Sequence, residues 1–153
     1  MLLSVPFFRQ NTWHTCGPAC LKMLFAFHNH RISEDAIARQ AHTSQKTGTA
    51  RRALLRAARL HGFTCTMSSN ALWRDVVTNL RRGNPVLINY REPSEDVGHY
   101  ALVIGMHGRD VLLHDPHNGR KFRIPLRELK RRWLGHRTDR KDRGWMMTAT
   151  PHA

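Results

Sequence analysis

Gln10–Leu24 reads QNTWHTCGPACLKML, a glutamine followed six residues later by a cysteine, a Gly-Pro pair and an apolar run. Proline is tolerated at the start of a helix, because its missing N–H has no intrahelical acceptor there and its fixed φ already suits the helix. Pro18 as the first helical residue places Cys16 at a helix N-terminus. Leu21, Met23, Leu24, Phe25 and Phe27, with only Lys22 charged before His28, predict a mostly buried helix of about three to four turns. The positive end of its dipole and its free N–H groups stabilise a thiolate. Gln10 offers an amide N–H to an oxyanion, beside the backbone N–H of Cys16. A cysteine taken at random in such a helix is more often a small buried hydrophobe. Gln10, Gly17 and Pro18 shift the reading towards a nucleophile.

A thiol nucleophile needs a base, and the base needs an orienting group. With eleven histidines in the chain, the presence of one decides nothing. His99 differs from the others in following Gly98 and preceding YALVI, which reads as a buried strand with a polar group at its mouth. Gly108-Arg109-Asp110 then turns the chain, and VLLHDP over 111–116 returns as a second strand, bringing Asp115 back near His99. Asp115 also opens Asp-Pro-His-Asn-Gly, a strong turn signal in itself, and the two roles are compatible.

Three segments in order, VPFFRQ leading to CGPACLKML, then HYALVIG, then LLHDP, resemble the papain-like cysteine peptidases of the bacteriocin-processing, double-glycine leader peptidase type and their stand-alone relatives. The resemblance spans Val5 to Pro116. It implies a papain-like α+β fold and an endopeptidase that cleaves after small residues, Gly-Gly among them, through an acyl-thioester. Cys16 is then the nucleophile, His99 the general base and acid, Asp115 the orienter of the imidazole, and Gln10 the oxyanion-hole donor. Thr15 stands where the bacteriocin-processing branch often has an acidic residue. The resemblance is also compatible with a toxin or effector protease acting in a target cell, or with a non-catalytic module binding leader peptides or anionic partners. Retention of Cys16 and His99 argues against the last.

Length and composition set the frame. The 153 residues, 41% hydrophobic, suffice for one core and are expected to form a single domain over 1–153. No apolar run approaches the roughly 18 residues that span a bilayer. Met1–Phe8 is apolar but short, without a basic leader or a small-residue cleavage site, and reads as a strand or loop delivering Gln10 rather than a signal peptide. Three cysteines without framework spacing point to a reducing, cytoplasmic setting. Cys16, Cys20 and Cys65 make a poor zinc pattern, so neither metal nor cofactor is expected. Cys20, one turn beyond Cys16, reads as a core residue.

Ser33 caps a helix to about Ala41, a second helix runs from Thr49 to Leu60 with Gly62 as its stop, and Asn70 caps a third through Leu80. Strands are expected at 63–67, 85–90, 99–104, 111–116, 122–124 and 145–148. Helices first and antiparallel strands after make an α+β class, a helical half packed on a C-terminal sheet with the active cleft between them.

Charge is the second strong feature: 25 Lys and Arg against 11 Asp and Glu, a net of +14. Arg120–Arg143 alone holds eleven basic residues and three acids. Such a stretch can meet an acidic protein, an immunity or inhibitor protein, an anionic membrane surface or, non-specifically, nucleic acid. No nucleic-acid-binding motif accompanies it. The acids Glu92, Glu95 and Asp96 just before His99 read as a solvated loop or, less often, as a cleft rim that attracts a basic substrate group.

Overall fold

The computed structural model describes residues 1–135 and 142–152. Its helices are α1 (Cys16–Phe27), α2 (Glu34–Gln40), α3 (Arg51–Leu60), α4 (Trp73–Arg81) and α5 (Leu126–Arg132). The strands are β1 (Phe63–Ser68), β2 (Val86–Glu92), β3 (Val97–His107), β4 (Asp110–Asp115), β5 (Gly119–Pro125) and β6 (Met146–Pro151). They form one antiparallel six-stranded sheet in the order β1-β6-β2-β3-β4-β5.

The α+β architecture is as expected, with one elaboration. Leu21, Leu24, Ile37, Leu54 and Ala57 of α1–α3 pack with Leu87, Tyr100, Leu102 and Ile104 on one sheet face. Val76 and Leu80 of α4 and Leu129 of α5 pack with Val86, Ile88, Tyr90, Ala101 and Val103 on the other. Alternate residues of β2 and β3 therefore serve two cores, which is why both strands read as unbroken apolar runs.

The helix starts show how local chemistry sets the boundaries. Ser33 accepts the Ala36 N–H at 3.1 Å, and Glu34 and Asp35 follow in the first turn. Such a cap contributes about 1 kcal/mol. Asn70 does not cap α4. It sits at φ 56° with its N–H on the Arg143 carbonyl, and the helix begins at Trp73, where the Asp75 carboxylate accepts the Leu72 N–H at 2.7 Å. Pro18 is the third residue of α1 rather than the first, since α1 starts at Cys16 and the Thr15 carbonyl accepts the Ala19 N–H at 3.0 Å. Proline costs nothing there, because the third N–H of a helix is still without an intrahelical acceptor.

The N-terminal segment is an added edge contact. Leu2 bridges Gly105, the Leu3 N–H meets the Ile104 carbonyl at 2.8 Å, and Met106 donates to Met1 at 3.0 Å. This covers β3 where β2 has ended, beside a bulge between Val103 and Gly105. A Cβ at Gly105 would overlap the Met1 carbonyl oxygen, so close backbone approach requires glycine here.

The basic stretch is divided among several settings. Arg120, Lys121 and Arg123 lie exposed on β5, the edge strand, where cations and Pro125 discourage pairing with another chain. Arg127, Lys130 and Arg131 are exposed on α5, which the sequence reading treated only as charge. Arg123 pairs with Asp110 at 3.0 Å, and Arg132 pairs with Glu128 at 2.9 Å and Asp96 at 3.2 Å. The part of the stretch at 136–141 lies outside the described residues.

Candidate active site

Cys16 opens α1, and the loop before it is held by its own side chains. The Thr15 hydroxyl accepts the Thr12 N–H at 3.1 Å and donates to the Thr12 carbonyl at 3.0 Å. Thr15 is buried, and its hydroxyl shapes the turn into the helix. His14 stays within this loop, 3.2 Å from the Thr12 hydroxyl and edge-on to the exposed Trp13. Cys16 is half-buried, whereas Cys20 and Cys65 are buried core residues, and burial pushes both of those thiols up. All three cysteines are free.

His99 stands near the start of β3, opposite Tyr90 of β2, and is 5% exposed. Its Nε2 lies 2.7 Å from Oδ1 of the fully buried Asp115. With Nε2 engaged, Nδ1 is the ring nitrogen left to face Cys16, which is near enough to act on the imidazole. Burial alone would lower the His99 pKa. The hydrogen bond to Asp115, then the nearby Cys16 side chain, outweigh burial and hold it well above the ordinary histidine value. Asp115 is its counterpart. Burial would raise it, but the His99 hydrogen bond and charge, the Tyr90 hydroxyl and the Asn118 N–H hold its carboxyl well below the usual carboxylate range.

Asp115 fills both roles read from the sequence. Its Oδ1 accepts the N–H groups of His117 and Asn118, each at 2.9 Å, closing the Asp-Pro-His-Asn-Gly turn, while the same oxygen faces His99. Its Oδ2 accepts from the Tyr90 hydroxyl and from Asn118 Nδ2 at 3.2 Å. A β-bulge immediately after, with Lys121 at φ 50°, lets β5 resume pairing beyond the turn. Tyr90 escaped the sequence reading because an aromatic in a strand is by default core. The fold marks it out, setting it opposite His99 and placing its hydroxyl on Asp115.

Gln10 is tied to the same turn. Its backbone N–H donates to Pro116 at 3.0 Å, and Arg9 Nη1 reaches the His117 carbonyl at 2.7 Å. Gln10 Nε2 donates one hydrogen to the Thr12 carbonyl at 2.9 Å, and its Oε1 is buried without a partner among the described residues.

The acidic loop is solvated at Glu95 and Asp96, as expected, and Glu92 is the exception. Glu92 is buried and accepts the N–H of Ser94 at 3.0 Å and of Glu95 at 2.6 Å, as well as the Ser94 hydroxyl. Asp96 faces Arg91 and Arg132. Two of the three acids thus shape the β2–β3 turn, and Asn118 Nδ2, 3.3 Å from Glu92, joins that turn to the one holding Asp115. His117 also borders the site, its ring 6.1 Å from that of His99, whereas His114 is locked between the Val5 carbonyl at 2.8 Å and the Lys121 N–H at 3.2 Å, and burial lowers its pKa. Among the described residues no group of three or more His, Cys, Asp and Glu is arranged to hold a metal, and no helix is long and apolar enough to cross a membrane.

Helices packed on a six-stranded antiparallel sheet, with Cys16 opening α1 and His99 and Asp115 paired on the sheet, make a papain-like fold. The chain belongs to the peptidase C39-like family, whose profile matches residues 2–139. An uncharacterised protein of Methanothermobacter marburgensis is 30% identical over 112 residues, 73% of this chain and 72% of that protein. The peptidase domain of Streptococcus ComA, a bi-functional ABC transporter involved in quorum sensing, superposes with a TM-score of 0.75 at 17% identity, over 95% of this chain and 98% of that one. A double-glycine-motif protease from an AMS/PCAT transporter, solved with its leader peptide, gives 0.74 at 19% identity, over 99% and 94%.

Proposed function

We propose that the chain is a cysteine endopeptidase that cleaves a peptide or protein after small residues, Gly-Gly among them, through an acyl-thioester. The observation that supports this most directly is the His99 imidazole held at 2.7 Å by a buried carboxylate, with Cys16 at the start of α1 near enough to influence it. Cys16 attacks the scissile carbonyl as the thiolate. The Cys16 backbone N–H and Gln10 receive the oxyanion, and His99 passes its proton to the leaving amine, so the C–N bond breaks as the thioester forms. Water, deprotonated by His99, then releases the acid. The family and the leader-peptide complex of a structural neighbour favour a substrate with a double-glycine site.

Incubating the protein with a peptide containing Gly-Gly, and with a copy carrying bulky residues there, tests the reading. Cleavage after the glycines in the first alone is expected, and equal cleavage of both, or of neither, contradicts it. Gln10→Ala is expected to lower kcat by about 10²-fold, the scale of losing one oxyanion donor, with little change in KM. An unchanged kcat would remove Gln10 from the site.

The exposed cations of β5 and α5 favour an acidic protein segment as a docking partner, a cognate inhibitor being one such protein. Rim charges act mainly on encounter. Capture of an acidic protein substrate is therefore expected to weaken steeply between about 50 and 200 mM salt while cleavage of a short neutral peptide holds. Equal salt sensitivity of both substrates would place these cations outside any docking role.

A further inference from the structure

The groups flanking Cys16 and His99 converge on one short segment of the helical half, Thr49–Arg51. On the nucleophile side, a Cβ added to Gly17 would stand 3.3 Å from the Thr49 Cβ and Oγ1 and 3.1 Å from a Leu54 methyl, so the first turn of α1 rests against this segment. On the base side, the Tyr100 hydroxyl donates to the Thr49 carbonyl at 2.8 Å. Arg51, the first residue of α3, extends a fork to Asn89 of β2, with Nε at 3.2 Å and Nη2 at 2.8 Å from its Oδ1. Asn89 Nδ2 in turn donates to the backbone carbonyl of His99 at 3.1 Å.

Asn89 is fully buried on a strand whose neighbours are apolar, a costly place for an amide unless its partners are all supplied. The guanidinium fixes the oxygen and the His99 carbonyl fixes the nitrogen, leaving one orientation. Arg51 is itself held by Asp142 at 2.7 Å and by stacking 5.3 Å from the Trp145 ring. A partly exposed ion pair such as Arg51–Asp142 adds little stability. The buried half of the contact reaches the histidine strand.

We propose that Arg51, acting through Asn89, is a positioning residue that sets where His99 stands relative to Cys16. The inference rests on the proposed nucleophile–base pair. It calls for a geometric effect: weaker coupling of imidazole and thiol when the fork is lost, since a displacement of about 1 Å is enough to disable a reacting pair.

The test reads Cys16 directly, without substrate. The iodoacetamide rate at Cys16 is measured against pH in the wild-type chain, Arg51→Ala and Arg51→Lys, with thermal unfolding recorded in parallel. The lysine variant keeps a cation for Asp142 but cannot fork to Asn89, and it carries the test if the alanine variant does not fold. Both variants are expected to lose about tenfold or more of the Cys16 rate near neutral pH, with Cys20 and Cys65 unchanged. A lysine variant with the wild-type rate and pH profile overturns the inference alone. Absence of selective Cys16 reactivity in the wild-type chain overturns the nucleophile assignment and this inference with it.

Discussion

Cys16→Ala is expected to abolish peptide cleavage, and His99→Ala to do so nearly as completely. Loss of either member of a nucleophile–base pair costs on the order of 10⁶-fold in a serine protease of unrelated fold, because the remaining member has nothing to activate or be activated by. The two variants separate in stability. Cys16 is half-buried at the start of α1, and alanine fits there without strain, so its thermal midpoint is expected to match the wild type. His99→Ala strips the imidazole from a fully buried carboxylate and is expected to lower the midpoint clearly. Activity assays of His107→Ala and His114→Ala serve as controls. His107 is exposed on β3, and His114 is locked between Val5 and Lys121. Full activity in His99→Ala with loss in either control would show the wrong histidine has been assigned.

Asp115→Asn has the second-largest expected effect. The side chain keeps its shape, but the amide cannot hold the imidazole as the carboxylate does, and in a serine triad such a change costs up to about 10⁴-fold, an upper limit here. The pH profile gives a sharper readout than the rate. His99 must be protonated to serve the leaving amine, and Asp115 is the chief group opposing burial in keeping it so. The alkaline limb of kcat/KM is therefore expected to move to lower pH in Asp115→Asn.

Stability follows the same two shifts. The Asp115 contribution, from a depressed value, is complete above its ordinary 3.8 and is lost as pH falls towards about 2. The His99 contribution, from a raised value, is complete below its ordinary 6.5 and is lost as pH rises through the folded value. The wild type is thus expected to exceed Asp115→Asn most between about pH 4 and 6.5. Denaturant titrations across that range check it, and a constant gap from acid to alkali would contradict the ion-pair account.

The parts of the site legible in the sequence are those whose local chemistry has few alternatives. A cysteine before Gly-Pro and an apolar run reads as a helix start, and a histidine and an aspartate at the two arms of a short hairpin are brought together by the turn. Asn89, Tyr90 and Arg51 were not legible. Asn89 and Tyr90 look like ordinary members of an apolar strand, and only the register that sets Tyr90 opposite His99 gives them a role. Arg51 is one of twenty arginines, and its partners lie 38 and 91 residues away. Helix α5 was hidden because Leu126, Leu129 and Trp133 are spaced among cations that dominate the composition. Glu92 read as a surface acid because nothing local shows that its own turn supplies the N–H groups that justify its burial.

Limited alkylation with iodoacetamide, followed by mapping of the modified cysteine, tests the nucleophile most directly because it needs no knowledge of the substrate. The reagent reacts with thiolates. Cys20 and Cys65 are buried with their thiols pushed up, whereas Cys16 is half-buried at a helix start beside His99. The account predicts that Cys16 is modified first, at about pH 6 as well as in alkali, and that His99→Ala slows it at the lower pH. Modification of all three cysteines at one rate that follows an ordinary thiol titration would contradict it.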